Sequence, residues 1–501
     1  MERKMTAQDL IARLKDVTPS SIKTKPFVDG KFVDPASDAT FETIYPGTGT
    51  KIADIAACGQ VDVDRAVASA RKAFESGVWS RMAPADRKRI LTRFSELMLE
   101  HRDELAGLET LNVGKPITRS RNGDIPSAAG CIAWYADAID KVYGEVAETG
   151  PDVTTMVVRE PLGVVAAVVP WNYPLSMACW KLGPALATGN SVILKPAEQS
   201  PFTALRIAEL ALEAGLPPGV LNVVPGLGEA AGKALGLHMD VDCVTFTGST
   251  EVGKMFLEYS GQSNAKHVSL ELGGKSPQIV LNDCDDLDGA ARAIAAGIFS
   301  NSGQVCNAGS RLVVESGIKD ALLERVVAIA TDLKAGDPLD ESTQLGSIVS
   351  EKQFERVMSY IDIGKSEGAS VVAGGKAARP ESGGFFIEPT VFDNVGNGMR
   401  IAQEEIFGPV LSAITVADFD EAVTVANDTI YGLSAAIWTR DIRKAHRAAR
   451  AIRAGVVWVN CFDRGSMSAP FGGFKQSGFG RDKSLHAMDK YTDWKSIWIA
   501  H

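Results

Sequence analysis

The sequence has no C-x-x-C pair and no closely spaced set of cysteines. Its seven cysteines, at positions 58, 131, 179, 243, 284, 306 and 461, are an odd number and lie far apart. This distribution argues against a disulfide framework and against a structural zinc site, and it favours a reducing compartment. We therefore expect a cytoplasmic protein that holds no metal.

The chain also lacks any run of lysine and arginine. Its 52 basic and 62 acidic residues give a formal net charge of −10 and a pI of about 5.3. A chain of this charge has no electrostatic attraction for nucleic acid or for an anionic membrane. We expect neither as a partner.

Neither a signal peptide nor a membrane span is indicated. The N-terminal MERKMTAQDL has charges but no apolar stretch behind them. Residues 161–180 are uncharged and long enough to imitate a span, but Pro170, Asn172 and Pro174 interrupt them. The first half of this segment is rich in valine. These features predict a buried strand that leads into a loop and a helix.

What the sequence does contain is a long alternation of short apolar runs and helical patterns. Residues 61–113 place apolar residues at three- and four-residue spacing, which predicts helices. Helical stretches separate four β-branched runs: 163–169, 191–195, 219–224 and 243–248. A second series of the same kind runs from Ser276 to Asn460. Two series predict an α/β protein with two lobes and a cleft between them.

Two further segments, 154–160 and 491–500, alternate like exposed strands outside both series. Such strands form either an edge that pairs with another subunit or a small surface hairpin. The residues alone leave both alternatives open.

Cys306 is the cysteine whose surroundings best suit chemistry. It lies in FSNSGQVCNAGSR, a polar loop that contains glycine and follows an apolar helix. Backbone N–H groups at a loop-to-helix junction can lower the pKa of a thiol and so supply a thiolate nucleophile. The other six cysteines are interpreted as inert core residues. A Cys–His hydrolase is the rival hypothesis, but none of the six histidines lies in a glycine-rich loop.

Glu271 is a candidate general base. In SLELGGKSP it ends a strand, and Gly273 and Gly274 follow, so that another segment or a ligand can approach the backbone. A carboxylate there would activate water to hydrolyse an acyl-enzyme. A surface glutamate at a strand end is the commoner case.

Two loops suit a dinucleotide. The strand CVTFTG runs into GSTEVGK, where Gly248, Ser249 and Gly253 would admit a pyrophosphate at a helix N-terminus. In ILKPAEQSP, Lys195 and Glu198 follow another strand, and a glutamate there can accept both ribose hydroxyls. An ordinary helix-starting loop and a solvated charged loop are the alternatives.

Asn172 lies in VVPWNYP, just past a buried strand and between two aromatic residues. Its side-chain amide can donate a hydrogen bond to a developing oxyanion. The alternative is an asparagine that merely forms a turn between two prolines.

Together and in this order, these segments resemble the aldehyde dehydrogenase superfamily over nearly the whole chain. The matching stretches are PWNYP, KPAEQSP, FTGSTEVG, LELGGKSP, GQVCNAGSR, EEIFGPV, YGLSAAIWT, VWVN and PFGGFKQSGFGR. The resemblance implies a Rossmann-like NAD-binding domain (1–140 and 162–272) and an α/β catalytic domain (273–480). It also implies a small β oligomerisation arm (141–161 and 487–501) that pairs across a dimer interface, and hence a homodimer or homotetramer.

The resemblance also implies catalytic roles. Cys306 is the nucleophile and Glu271 the general base, while Asn172 and the backbone N–H of Cys306 form the oxyanion hole. Many relatives pair a lysine with a glutamate as a proton relay behind the base. Lys181 matches the lysine, but the second position is Asp482, one methylene shorter. We therefore rest the base role on Glu271 alone.

The remaining implied roles concern the cofactor. NAD is expected, and NADP less so, because Glu198 would meet a 2′-phosphate with like charge. Lys195 and Glu198 hold the adenosine ribose, and Glu405 and Phe407 hold the nicotinamide ribose and ring. The adenosine and pyrophosphate lie along Trp171, Gly248 and Ser249.

Residues 133–146 and 480–499 are most similar to the γ-glutamyl-γ-aminobutyraldehyde dehydrogenases and related aminoaldehyde enzymes. Asp124 and Asp463 would hold the cationic end of such a substrate, with aromatic help from Trp180. However, Ser466 stands where those relatives place an acid, and Arg464 is added. The predicted mouth comprises Tyr173, Met177, Trp180, Ser300, Val305, Asn307, Asp463 and Phe471.

Four alternatives stay open. A non-catalytic structural protein on this fold would be expected to have lost Cys306 or Glu271, and both are present. A broad-specificity aliphatic or aromatic aldehyde dehydrogenase would better suit a mouth with Ser466 and Arg464. A coenzyme-A-acylating enzyme would use the same nucleophile, but Glu271 argues against it. A thiol esterase would need no cofactor, and aldehyde-dependent NADH formation would exclude it.

Overall fold

Two mixed sheets with helices on both faces form most of the chain, as the alternation of strands and helices predicts. The structure is a computed structural model and describes residues 5–14 and 16–501. The expectation that the chain begins without a signal peptide falls partly on residues 1–4, outside the described residues.

In the part of the chain described, the first sheet has eight strands, of which the five central ones are parallel. The strands Val164–Val168, Ser191–Lys195 and Cys243–Thr247 are buried at every position, because helices cover both faces. Across the sheet the strands follow the order Lys31–Phe32, Phe27–Val28, Leu221–Val223, Ser191–Lys195, Val164–Val168, Cys243–Thr247, His267–Glu271 and Gly478–Phe479.

Helices surround this sheet where apolar periodicity predicts them. The pattern at 61–113 forms three helices with breaks between them, and the first one ends at Gly77, whose φ of 77° suits glycine. The helices of this half are Gln60–Ser76, Pro84–Glu100, Arg102–Val113, Ile125–Ala138, Pro174–Ala187, Phe202–Glu213, Lys233–Leu237 and Thr250–Gln262. Segment 161–180 forms a strand, a loop and a helix, as predicted.

The second sheet has seven strands among the described residues, all parallel to their neighbours except the first, Ser370–Ala373. Across the sheet they follow the order Ser370–Ala373, Thr390–Asp393, Val410–Val416, Arg311–Glu315, Pro277–Val280, Ser434–Trp438 and Val456–Val459. Its helices are Leu287–Phe299, Lys319–Asp332, Glu351–Ser366, Arg400–Gln403, Phe419–Asn427 and Ile442–Ala451. The predicted α/β fold class is therefore confirmed.

The two unassigned segments pair with each other in a third sheet. Val153–Pro161 lies between Thr492–Ala500 and Glu145–Ala147, and both pairings are antiparallel. The strand Thr492–Ala500 leaves Trp494 and Trp498 exposed by 50% and 66%. A long exposed edge with large apolar side chains is a surface on which another strand or subunit can pair.

Further short elements connect these sheets. They are the strands Thr40–Tyr45, Thr50–Ala56, Ala377–Ala378, Phe386–Ile387, Tyr431–Gly432 and Phe474–Lys475, and the helices Ala7–Ile11, Ile117–Arg119 and His486–Asp489. Among the described residues, no helix combines the length and apolarity that crossing a membrane requires.

Candidate active site

A cavity of about 570 Å³ lies between the two large sheets. The carboxyl ends of Cys243–Thr247 and His267–Glu271 line it from the first sheet, and Val456 and Trp458 line it from the second. In parallel sheets the carboxyl ends of the strands are where ligands bind. Cys306 also lines the cavity, partly exposed, so the candidate nucleophile reaches this space.

The loop before Cys306 has an unusual backbone. Asn301, Ser302 and Gly303 follow each other with φ angles of 49°, 53° and 72°. A side chain at Gly303 would place its Cβ 2.0 Å from the carbonyl oxygen of Gly408, so only glycine fits there. This tight turn ends the helix Leu287–Phe299 and carries the chain into the cavity.

Gln304 fastens the turn to its surroundings. Its Oε1 accepts a hydrogen bond from the N–H of Val349 at 2.9 Å, and its Nε2 donates to the carbonyl of Asn301 at 3.1 Å. Its own carbonyl accepts from Asn172 Nδ2 at 2.8 Å. Asn172 is thereby tied to the loop of Cys306. The N–H of Cys306 itself makes no hydrogen bond to any described residue.

The Cys306 thiol does not have the lowered pKa that its loop predicted. Burial raises its pKa to about 12, and the carboxyl groups of Glu405, Glu271 and Asp463 add to the effect. A hydrogen bond from the N–H of Asn307 acts in the opposite direction but is outweighed. Three nearby carboxyls disfavour a thiolate more than one backbone N–H favours it. The free thiol is therefore protonated at neutral pH.

Glu271 ends its strand with a buried carboxyl whose two oxygens accept no hydrogen bond from the described residues. Burial raises its pKa well above the usual value, and the charge of Asp482 raises it further. A Cβ at Gly472 would lie 2.8 Å from Glu271 Oε1, so that glycine leaves room for the carboxyl. An unpaired buried carboxyl in a cavity is available to a water or a substrate.

The lysine–aspartate pair behind this base does form, despite the shorter aspartate. Lys181 Nζ lies 2.6 Å from Asp482 Oδ2, and both side chains are buried. Lys490 contacts the other carboxylate oxygen of Asp482. Burial acts to raise the pKa of Asp482, but the two ammonium groups outweigh it and hold the pKa below its usual range. The missing methylene is thus compensated, and a second lysine joins the group.

On the cofactor side, the chain turns at Gly248 into the helix Thr250–Gln262. Ser249 caps this helix by accepting a hydrogen bond from the N–H of Val252 at 3.3 Å. Gly248 and Ser249 line the cavity, but Gly253 does not. A Cβ at Gly253 would lie 2.6 Å from Leu272, so this glycine allows the helix to pack on the strand end.

Glu405 and Phe407 reach the cavity from the second lobe. Glu405 Oε1 accepts a hydrogen bond from the N–H of Gly274 at 3.1 Å, and burial raises its pKa to about 7. Phe407 has a φ of 60°, and its ring contacts that of Trp171 edge to face at 5.2 Å. Opposite lobes thus meet across the cavity through two aromatic rings.

Lys195 ends the strand Ser191–Lys195 of the first sheet, and Glu198 follows it closely. Neither residue lines the cavity. Their charged atoms are 3.6 Å apart. Glu198 Oε1 also accepts a hydrogen bond from the N–H of Gly228 at 2.6 Å. Burial lowers the pKa of Lys195.

At the opposite end of the cavity, Asp124 already has a cationic partner. Its carboxylate contacts the buried Lys115, whose Nζ also lies 3.6 Å from the centroid of the Tyr173 ring. Glu109 is buried nearby, and burial together with the charge of Asp124 raises its pKa to about 8. A substrate amine would therefore compete with Lys115 for Asp124.

Asp463 is also held by the protein, since its Oδ1 accepts a hydrogen bond from Asn307 Nδ2 at 2.8 Å. The rings of Trp180 and Phe471 contact each other edge to face, with their centroids 5.4 Å apart. Lys483 Nζ lies 4.4 Å from the centroid of the Trp180 ring. A lysine thus contacts the tryptophan that was predicted to assist a substrate cation. Of the predicted mouth residues, Tyr173, Met177, Trp180, Val305, Asn307, Asp463 and Phe471 line the cavity, and Ser300 does not.

Several residues of the site were not predicted. Gln353 Nε2 donates to the carbonyls of Ile406 and Phe407 at 3.1 and 2.9 Å, and Arg356 donates to that of Glu405 at 2.9 Å. They hold the EEIFGPV loop in place from the helix Glu351–Ser366, some 50 residues earlier in the chain. No local pattern marks them. Lys483 did carry a signal, because it directly follows the motif that supplied Asp482.

Known proteins match this chain along its length. The profile of the aldehyde dehydrogenase family matches residues 32–497. The NADP/NAD-dependent aldehyde dehydrogenase PuuC of Escherichia coli (strain K12) is 51% identical over 480 residues, 96% of each chain. An indole-3-acetaldehyde dehydrogenase solved with NAD+ superposes with a TM-score of 0.96 at 56% identity, over 99% of this chain and 100% of that one.

The γ-glutamyl-γ-aminobutyraldehyde dehydrogenase of Burkholderia cenocepacia J2315 superposes with a TM-score of 0.95 at 54% identity, again over 99% of this chain and 100% of that one. The resemblance seen in the sequence motifs is therefore confirmed over both lobes and the third sheet. The chain belongs to the aldehyde dehydrogenase family.

Proposed function

We propose that the cavity oxidises an aldehyde to a carboxylic acid with NAD, through a thioester on Cys306. The observation that carries this proposal is that a thiol and a buried, unpaired carboxyl line one cavity, Cys306 from the second lobe and Glu271 from the first. A nucleophile and a base brought together from separate lobes can divide the reaction into acylation and hydrolysis.

The residues present fit a dinucleotide. The helix Thr250–Gln262 begins at the cavity wall, and the N–H groups of its first turn suit a pyrophosphate. Glu198 and Lys195 would hold the adenosine ribose, and Glu405 and Phe407 the nicotinamide ribose and ring. The indole-3-acetaldehyde dehydrogenase was solved with NAD+, which supports the same cofactor here. When bound, the nicotinamide supplies the hydride acceptor of the reaction.

The chain's own residues perform the proton and bond changes. Because the thiol pKa is about 12, attack proceeds from its minor thiolate form, and the Sγ proton passes to solvent. The sulfur then bonds to the aldehyde carbon. Asn172 Nδ2 and the free N–H of Cys306 donate to the oxyanion that forms.

Hydrolysis of the thioester completes the reaction. Glu271 removes a proton from water, the hydroxide attacks the acyl carbon, and the C–S bond breaks to release the acid and the thiol. Asp482, held by Lys181 and Lys490, lies close enough to raise the pKa of Glu271 and strengthen it as a base. Lys181 and Lys490 act in the opposite direction, since their charges lower the pKa of Glu271 and favour its ionised form.

For the substrate we propose a γ-glutamylamino or ω-amino aldehyde. The names of two relatives support this class: the γ-glutamyl-γ-aminobutyraldehyde dehydrogenase and an aminoacetaldehyde dehydrogenase from Pseudomonas aeruginosa. A broad or aromatic specificity is the second candidate, since Trp180, Tyr173 and Phe471 line the mouth and a relative is named for indole-3-acetaldehyde.

We further propose a cytoplasmic homodimer or homotetramer in which 141–161 and 487–501 form the arm, with the NAD-binding and catalytic domains bounded as the sequence predicts. The exposed edge with Trp494 and Trp498 supports association through the third sheet. All seven cysteines are free thiols, which suits a reducing compartment.

One experiment tests the central proposal. NADH formation is followed by absorbance with aliphatic, aromatic, acidic and amino aldehydes, using NAD and NADP in turn. We expect turnover with a higher kcat/KM for NAD, and its loss in Cys306→Ser with NAD binding retained. Cys284→Ser, which changes a cysteine outside the cavity, is the matched control and keeps activity. Substantial NADH formation by Cys306→Ser would refute the assignment.

A further inference from the structure

The mouth of the cavity contains an ammonium group that forms no ion pair with a carboxylate of the described residues. Lys483 lines the cavity, and its Nζ lies 4.4 Å from the ring centroid of Trp180 and 5.6 Å from that of Phe471. Among the described residues, no carboxylate oxygen lies within 4.0 Å of this Nζ. Two aromatic rings attract the cation, but they leave its N–H donors without an acceptor.

The backbone holds this lysine in a conformation that is costly for a side chain. Lys483 and Ser484 have φ angles of 59° and 51°, and each such residue costs about 1–2 kcal/mol. Hydrogen bonds enforce the turn: Phe471 and Asp482 exchange two at 2.8 and 2.7 Å, and the N–H of Ser484 donates to Met467 at 2.7 Å. Strain maintained in this way at a cavity is typical of functional sites.

The charges around Lys483 leave the mouth with a positive surplus. Arg464 lines the same cavity. Asp463 acts electrostatically on Lys483, but it accepts a hydrogen bond from Asn307, and burial raises its pKa. The other acid at this end, Asp124, is already paired with Lys115. Two cationic side chains therefore line this end of the cavity, and neither forms an ion pair with a carboxylate of the described residues, so the site can accept an anion.

We propose that Lys483 determines specificity by binding a carboxylate at the far end of the aldehyde, with Arg464 as a second cationic contact. The inference rests on the proposed function and narrows it. A γ-glutamylamino aldehyde carries such a carboxylate, whereas a simple ω-amino aldehyde presents a like charge to Lys483. The aromatic rings of Trp180 and Phe471 then contact the carbon chain of the substrate and the stem of the lysine.

The test compares three aldehydes of equal chain length that end in a carboxylate, a carboxamide or an amine, at saturating NAD. We expect the order carboxylate, carboxamide, amine in kcat/KM. In Lys483→Met, the ratio of kcat/KM for the carboxylate to kcat/KM for the carboxamide should fall about tenfold, the factor that one charge-assisted hydrogen bond contributes. The change should lie in KM rather than in kcat. Lys483→Arg should retain the preference. Lys376→Met, at an exposed lysine outside the cavity, is the matched control.

A measurement on the unaltered enzyme protects the test against misfolding of a variant. Raising the ionic strength should reduce the preference for the carboxylate, because a partly exposed ion pair is screened by salt. Equal kcat/KM for the carboxylate and the carboxamide in the unaltered enzyme, or equal losses for both in Lys483→Met, would overturn the carboxylate subsite alone. No NADH with any aldehyde would overturn the proposed function as well.

Discussion

Two buried groups of lysines and carboxyls lie along the helix Pro174–Ala187, and they balance their charges differently. At the start of the helix, Lys115 faces two acids, Asp124 and Glu109, and Glu109 also accepts a hydrogen bond from the N–H of Leu175 at 3.3 Å. Burial, together with the charge of Asp124, raises the pKa of Glu109 to about 8, so the second carboxyl of this group favours its protonated form.

The second group lies further along the same helix and contains two ammonium groups. Asp482 is paired with two lysines, Lys181 and Lys490. Glu271 stands beside this group, in the cavity and without a hydrogen bond. Two groups built from lysines and carboxyls thus differ in whether an acid is left open to the cavity. Burial raises the pKa of the extra acid in both groups, but Glu109 accepts a hydrogen bond outside the cavity, whereas Glu271 lines the cavity without one and is open to a water or a substrate.

The largest effect should come from the free carboxyl. In Glu271→Gln, hydrolysis of the thioester should slow by about 10²–10⁴-fold, the usual cost of removing a general base. A pre-steady-state burst of NADH should therefore appear or grow while steady turnover falls. Stopped-flow absorbance measures both. Equal slowing of burst and steady state would show that Glu271 also deprotonates the thiol in the rate-limiting step.

The next largest effect should be a difference in folding stability between variants of the two groups. Asp482→Asn leaves Lys181 and Lys490 without their acid, and losing one partner of a buried pair costs about 3–5 kcal/mol. The matched variant Asp124→Asn should cost less, because without the charge of Asp124 the pKa of Glu109 falls and Glu109 can ionise beside Lys115. Thermal unfolding compares the two. Equal losses of Tm would contradict the difference between the groups.

Asp482→Asn should also shift the pH dependence of hydrolysis. The charge of Asp482 raises the pKa of Glu271, whereas Lys181 and Lys490 lower it. Removing that charge therefore lowers the pKa of the base, and the acidic limb of the rate profile should move to lower pH. An unchanged limb would mean that Asp482 has no influence on Glu271.

The smallest effect concerns Glu109. Its folded pKa is about 8, above the value of about 4.3 for an unfolded glutamate. The folded state thus binds the extra proton between these values, and the stability it contributes is lost as the pH rises toward 8. Glu109→Gln removes this pH dependence. The Tm of the variant minus that of the unaltered enzyme should therefore increase by a few degrees between acidic and alkaline pH. A constant difference would contradict the assigned pKa.

Much of the fold and the cofactor end could be predicted because their signals are local. The runs at 163–169 and 243–248 are short and β-branched, and such runs form buried strands wherever helices cover them. Gly248 and Ser249 follow a strand directly, so their place at a helix N-terminus is a matter of sequence order. The thiol of Cys306 shows the limit, because its pKa is raised by burial and by the charges of Glu405 and Glu271, which only the fold brings about.

The substrate end was less predictable for the same reason. Lys115 and Asp124 are only nine residues apart, but Lys181 meets Asp482 some 300 residues away in the chain. Lys483 contacts Trp180 through a turn whose left-handed backbone no local pattern announces. Charge balance in a cavity depends on such distant pairs, so composition and spacing alone do not determine it.

The most direct test of the central claim is the mass of the intact enzyme during turnover. Glu271→Gln is mixed with NAD and an aldehyde, quenched in acid and analysed by mass spectrometry with peptide mapping. The account predicts one acyl group per chain, attached to Cys306, and none when NAD is omitted or in the Glu271→Gln/Cys306→Ser double variant. An unmodified chain that has nevertheless produced one NADH would contradict a thioester on Cys306.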